Sequence, residues 1–255
     1  GMGSASGRPS SDSSTSAGAR KFEPLATVGI TTRYGELDSE VSRRPSPLAT
    51  RPSTRALSSH QSTWQRSLGT PALSLVGVVG EDWPSEHTQL LERQGIDTSG
   101  LQTVPGAKTF RWRGKYEGDM NLAETLEVHL NVLGTFDPDL SEAFAVTPFV
   151  FLANGSPRMQ LKVLRQAKAR KLIVADTMNF WIETQRDELM ELLREVDGLV
   201  LNDGEARLLT DEVNLVKAGQ QVLTMGPRFV IIKKGEHGAL FLSEGVSCVM
   251  PAYPL

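Results

Sequence analysis

Hydrophobic and polar positions change their rhythm near Pro71. Beyond it, short runs rich in Val, Ile and Leu alternate with stretches whose apolar residues recur every three or four positions. "ALSLVGVVG" reads as a strand ending at Gly80. "SEHTQLLERQG" reads as a helix, with Ser85 as its cap, Leu90 and Leu91 as its apolar face and Gly95 as its stop. "KTFRWRGKYEG" and "LEVHLNVLG" alternate large and polar side chains and predict a hairpin or small sheet. Three strand–helix pairs come next. They are "FVFLANG" with "RMQLKVLRQAKAR", "KLIVADT" with "RDELMELLREV", and "GLVLND" with "NLVKAGQQVLTMG". In the second pair Leu189, Leu192, Leu193 and Val196 share one helix face. "RFVIIKKG", "ALFLS" and "SCVMPA" read as closing strands.

Strands alternating with helices at this spacing predict βαβ units: an α/β domain with a mainly parallel sheet covered by helices. The text before Leu68 differs. Residues 1–20 contain seven serines, no aromatic and no branched aliphatic side chain, and Met2 as the one large apolar residue. Such a stretch cannot bury enough surface to offset its conformational entropy and is expected to be disordered. Residues 39–67 are rich in Ser, Arg and Pro and keep to neither apolar period. "LATVGI" (25–30) has the makings of a strand, but nothing after it supports one. The expected division is an atypical segment over 1–68 and one α/β domain over 69–255, with lid strands at about 107–135.

Charge adds to this boundary. The first 70 residues carry nine Lys and Arg against five Asp and Glu, while the whole chain has a net charge of −3. Near-balanced charge gives no reason to expect nucleic acid or membrane lipid as a partner. Apolar runs of about five residues are far shorter than the roughly 20 of a spanning helix. The lone Cys248 cannot form an internal disulfide, so a cytoplasmic location is expected. Lying in an apolar strand, Cys248 is expected to be a buried thiol.

In open parallel sheets, ligands bind at the carboxyl ends of the strands. Here those ends read Gly80-Glu81-Asp82, Asn154-Gly155-Ser156, Asp176-Thr177-Met178-Asn179, Asn202-Asp203-Gly204-Glu205 and Lys233-Lys234-Gly235-Glu236-His237-Gly238. Polar turn residues come after most strands, so each cluster alone is weak. Together they suit a nucleotide polyphosphate. Glu205 and Asp176 can hold magnesium directly or through its waters. Asn202 can donate to a phosphate oxygen. Gly235 and Gly238 allow close backbone approach to a ligand. Lys233 and Lys234 point to opposite sides of one strand, so at most one faces the crevice. No P-loop, no G-x-G-x-x-G fingerprint and no G-x-S-x-G elbow occurs, and the four histidines lack zinc spacing.

The motifs, taken in order, resemble the ribokinase-like (PfkB) carbohydrate kinase family. "SLVGVVGEDWP" resembles its early G-x-V-G-x-D segment. "LIVADTMNFW" resembles the strand that carries an Asp and an Asn near the phosphates, here Asp176 and Asn179. "LVLNDGEARLLT" resembles its N-x-x-E motif, with Asn202 and Glu205 at the fixed positions. "VIIKKGEHGALF" resembles its T-x-G-x-x-G turn, with Gly235 and Gly238 matched and Lys233 where Thr is frequent. The resemblance runs from about Ala72 to Leu255. It implies a ribokinase-like three-layer α/β/α fold with a small β lid. It also implies magnesium-dependent transfer of phosphate from ATP to a hydroxyl of a small-molecule sugar or nucleoside, with Glu205 on the metal. Asn154 and Arg111 are the candidate substrate contacts, and the lid region implies a homodimer.

The departures from that family are equally specific. The sequence has no G-A-G-D motif, whose Asp is the family's general base, and no Gly-Gly sugar motif. The chain is therefore expected to be an inactive, truncated or frame-damaged member, with family-like text returning at about Ala72. Translation of the source DNA in other frames tests that expectation. The alternatives are a non-catalytic nucleotide-binding or regulatory domain, and a Rossmann-like domain whose polar strand ends are only turns.

Overall fold

The computed structural model describes residues 27–33, 72–116 and 123–253. The stretch 1–20, expected to be disordered, and the aperiodic stretch 39–67 lie outside the described residues. Among the described residues, eleven strands run in chain order as β1 Thr27–Arg33, β2 Ala72–Gly80, β3 Ile96–Val104, β4 Arg111–Tyr116, β5 Ala123–His129, β6 Phe149–Leu152, β7 Leu172–Asp176, β8 Gly198–Asn202, β9 Phe229–Lys233, β10 Ala239–Ser243 and β11 Val246–Met250. The helices are α1 Ser85–Arg93, α2 Val132–Thr135, α3 Glu142–Ala145, α4 Pro157–Gln166, α5 Asn179–Thr184, α6 Arg186–Leu193, α7 Asp203–Thr210 and α8 Leu215–Thr224. No described helix is long and apolar enough to cross a membrane.

Nine strands form one sheet in the order β11-β10-β9-β8-β7-β6-β1-β2-β3, and β4 pairs with β5 apart from it. β6 to β9 are parallel, as are β2 and β3; β1 runs antiparallel to both its neighbours, and β10 and β11 continue antiparallel. The carboxyl ends of β2, β6, β7, β8 and β9 therefore share one edge. The strand order reverses beside β1, where an open α/β sheet places a crevice.

The periodicity sets the packing. In β6 to β10 every second residue is buried: Val150 and Leu152, Ile173 and Ala175, Leu199 and Leu201, Val230 and Ile232, Leu240 and Leu242. These join Leu161 and Leu164 of α4, Leu189, Leu192 and Leu193 of α6, Leu209 of α7 and Val222 of α8 in one core. Each such Val, Leu or Ile side chain contributes about 1.5–3 kcal/mol by leaving water. The alternate positions Phe151, Val174, Val200, Ile231 and Phe241 are only half-buried, and β11 is exposed throughout. Gly198 carries the Phe229 ring across the strand; a Cβ there would overlap it.

Several expectations change. Thr27–Arg33 is a strand of the main sheet, between β2 and β6. Both of those partners are remote in sequence. Ile96–Val104 is also a strand, β3, which the polar pattern "IDTSGLQTV" hid. Pro84, not Ser85, takes the cap position of α1, and no side chain caps it. That helix buries no residue, and Leu90 is half exposed. Val132–Thr135 turns helical instead of extending the hairpin. Cys248 is exposed: β11 is an edge strand, and register sets Cys248 opposite Phe241 on the open face.

Candidate functional site

Asp176, Asn202 and Lys233 are the last residues of three adjacent parallel strands. Register pairs Asp176 with Val200, Val200 with Ile231 and Asn202 with Lys233, so all three side chains leave the same face of the sheet. Lys233 Nζ reaches across β8 to within 3.6 Å of Asp176 Oδ1. Lys234, the next residue, lines a separate pocket with Arg207, Asn214 and Val249.

β8 passes directly into α7, and the junction explains Asn202 and Glu205. The Asn202 side chain accepts from Glu205 N at 2.8 Å, and Glu205 Oε2 accepts from Asn202 N at 2.6 Å. This reciprocal capping box satisfies two orphan donors of a helix start. It also holds Glu205 at 6% exposure. Burial pushes its carboxyl up to about 7; the Asn202 N–H and Lys233 oppose that, and Asp176 and Asp203 add to it. Burial also raises Asp176, with Lys233 and the Thr177 N–H pulling the other way. The Asp176 and Glu205 carboxylates and the Lys233 ammonium thus share one field.

The donor set fits magnesium in the way that ion is usually held. It prefers one or two carboxylates plus phosphate oxygens and waters. Asp176 and Glu205 supply two carboxylates. Among the described residues no group of three or more His, Cys, Asp or Glu could cage a metal without other ligands.

The other sequence candidates stand around this cluster or farther along the sheet edge. Asn179 opens α5 and is exposed. Gly235 and Gly238 flank a short turn with φ of 54° and 84°. A Cβ on Gly238 would overlap the Met250 carbonyl, so β11 by itself already requires a glycine there. Asn154 is also surface-exposed, but its Oδ1 accepts from the Trp181 indole at 3.0 Å. Arg111 stands on the β4–β5 hairpin opposite His129, beside the Arg113–Glu127 ion pair. The hairpin is moored to the sheet edge through Thr109, which donates from N and Oγ1 to Asp82 at 2.7 and 2.8 Å and accepts from Gly80 N at 2.9 Å. These bonds hold the Asp82 carboxyl below its usual range.

Sequence reasoning missed Thr109, Trp181 and Gln160. Gln160 had a signal: it is a polar residue on the apolar stripe of α4, level with Leu161 and Leu164.

The family model for pfkB family carbohydrate kinases matches residues 66–254. The chain belongs to that family. It is 27% identical over 192 residues to a cytidine kinase of Thermococcus kodakarensis, covering 74% of this chain and 67% of the relative. Two of the solved structures that share its fold illustrate the likeness. One, an E. coli protein described as a ribokinase II in complex with ATP and Mg2+, superposes with a TM-score of 0.60 at 17% identity, over 89% of this chain and 77% of that one. The other, a ribokinase of Thermotoga maritima, superposes with a TM-score of 0.55 at 16% identity, over 71% of this chain and 60% of that one. Their likeness establishes a ribokinase-like α/β fold. The PfkB chain thus spans about two thirds of the cytidine kinase and 60% of the Thermotoga ribokinase.

Proposed function

We propose that this chain carries the Mg–ATP-holding part of a PfkB-type kinase that phosphorylates a hydroxyl of a sugar or nucleoside. The observation that carries the reading is the convergence of Asp176, Glu205 and Lys233 at one strand edge, with Lys233 3.6 Å from Asp176. Lys233 would pair with a phosphate oxygen, exchanging its contact with Asp176 for one with the nucleotide. Asp176 and the free oxygen of Glu205 would then hold magnesium, directly or through water. Magnesium would supply charge neutralisation on the transferring phosphate. Asn179, Gly235 and Gly238 border the same edge. Asn154 and Arg111 are the proposed acceptor contacts, on the side where β6 and the hairpin meet the crevice.

The 255 residues contain no G-A-G-D sequence, so transfer by this chain alone would lack the base that the family resemblance assigns to that motif. A missing base removes roughly 10²–10⁴-fold in rate. The proposal is therefore binding without ordinary turnover. A non-catalytic nucleotide-binding or regulatory role is the second reading. A cytoplasmic setting and pairing of two copies through the β4–β5 hairpin belong to this proposal.

Calorimetry with a non-hydrolysable ATP analogue, with and without magnesium, tests the site. A coupled assay over sugars and nucleosides tests turnover. Magnesium-dependent binding with little turnover is expected. No binding at all would reduce the polar strand ends to turns, and turnover at ordinary kinase rates would remove the inactivity.

A further inference from the structure

Gln160 is fully buried on α4, among Leu161, Leu164 and the ends of β6 and β7. Its amide nitrogen lies 3.0 Å from the Leu152 carbonyl, 3.0 Å from that of Ala153 and 2.9 Å from that of Asp176. Three acceptors around one nitrogen fix the amide's orientation, because the flipped amide would set oxygen against oxygen. Two protons serve three carbonyls, and the amide Oε1 has no protein partner.

These carbonyls sit where two strands separate. The β6–β7 ladder ends at Leu152 opposite Ala175. Beyond it the two backbones part, β6 turning through Asn154 into α4 and β7 running on to Asp176. Buried carbonyls there need donors, and Gln160 supplies them in place of the ladder. Two further side-chain bonds join the same segments: Trp181 Nε1 donates to Asn154 Oδ1 at 3.0 Å, and Ser156 Oγ donates to Gln185 Oε1 at 2.7 Å. Residues 153–156 and 176–185 are thereby tied into one wall of the crevice.

We infer that Gln160 is a positioning residue for the nucleotide site. It touches no ligand. It acts through Asp176, fixing the backbone from which that carboxylate faces Lys233, and it locks the Asn154 loop to the same wall. A residue serving only packing at this apolar position would need no amide. This inference rests on the nucleotide reading above.

The test compares Gln160→Leu with Val163→Ala, a core substitution on the same helix that leaves the strand ends alone. Urea denaturation measures the stability lost in each, and calorimetry with Mg–ATP measures affinity. Gln160→Leu is expected to bind Mg–ATP about tenfold more weakly, and Val163→Ala within roughly twofold of the unsubstituted chain. Equal affinities in the two variants overturn the inference. If Gln160→Leu does not fold, Gln160→Glu replaces it in the same comparison, since it retains the size but one donor at most. The indole N–H resonance of Trp181, assigned with Trp181→Phe, provides a readout without nucleotide. It should move in the Gln160 variant and stay in Val163→Ala. If the unsubstituted chain binds no Mg–ATP, the nucleotide reading falls, and the indole comparison alone decides: an unmoved resonance overturns the role of Gln160.

Discussion

Lys233 Nζ stands 3.6 Å from Asp176 Oδ1, joining β9 to β7 over the end of the intervening strand β8. The lysine side chain is 49% exposed and the aspartate 21%, so a positive charge at the rim faces a sheltered negative one. Asn202 ends the strand between them, and Glu205 lies in the first turn of α7.

Lys233→Met should separate two effects. Half exposure screens the ion pair, so its contribution to stability is expected to stay within about 1 kcal/mol. Mg–ATP affinity should fall about tenfold or more if Lys233 makes the phosphate contact proposed for it. Calorimetry beside urea denaturation checks both.

Glu205 makes stability depend on pH. Its carboxyl rises from an ordinary 4.5 to about 7 on folding, chiefly through burial. The folded chain therefore holds this proton more tightly than the unfolded chain. The stability this contributes is fully present below pH 4.5 and is lost as pH rises through about 7. The loss is on the order of 3 kcal/mol. Glu205→Gln keeps an acceptor for the Asn202 N–H and removes the titration. Urea midpoints from pH 4.5 to 8 should fall in the parent chain, while Glu205→Gln should lack this component.

Asn202→Ala removes the acceptor for Glu205 N and half of the capping box. The expected cost is about 1 kcal/mol, within the usual span for a cap. Thermal or urea unfolding measures it. Asn214→Ala, at the start of α8, should cost a similar amount, because its side chain accepts from Val216 N and Lys217 N.

Two glycines with positive φ should respond differently to alanine. Gly95 has φ 79° and open space around it, so Gly95→Ala carries backbone strain alone, about 1 kcal/mol. Gly238 has φ 84° and would also drive a Cβ into the Met250 carbonyl. Gly238→Ala should cost clearly more and loosen β11. Hydrogen exchange of the β10–β11 amides would report it. Equal costs at the two positions would contradict the packing account.

Thr109→Val deletes the hydroxyl that donates to Asp82 and accepts from Gly80 N. These bonds are exposed or half-buried, so the expected cost is about 1 kcal/mol. The hairpin's mooring should loosen more than the core. Proteolysis at 105–130 should speed up while the global unfolding midpoint changes little.

Much of the fold was legible along the chain. β6 to β9 and the helices between them come from alternation and from the three-to-four-residue stripe of Leu189, Leu192 and Leu193. β1 was only half legible: "LATVGI" had the makings of a strand, but "TVGITTR" is half polar and its partners lie dozens of residues away. β3 escaped for a similar reason. Cys248 looked buried because its neighbours are apolar, but an edge strand has only one neighbour. Of the site, the residue types at the strand ends were readable, and the family order singled out Asn202 and Glu205. The Lys233–Asp176 contact, the Thr109 mooring and the Gln160 clasp were not, since each joins residues remote in sequence.

Local sequence is enough to set periodicity, turns and the capping box between Asn202 and Glu205, because those interactions span a few residues. Which face of the sheet is covered, and how far Asp176 and Glu205 are pushed toward neutrality, arise only when distant segments pack. Desolvation and charge proximity act through space, and in this chain they bring β7, β8 and β9 to a common edge.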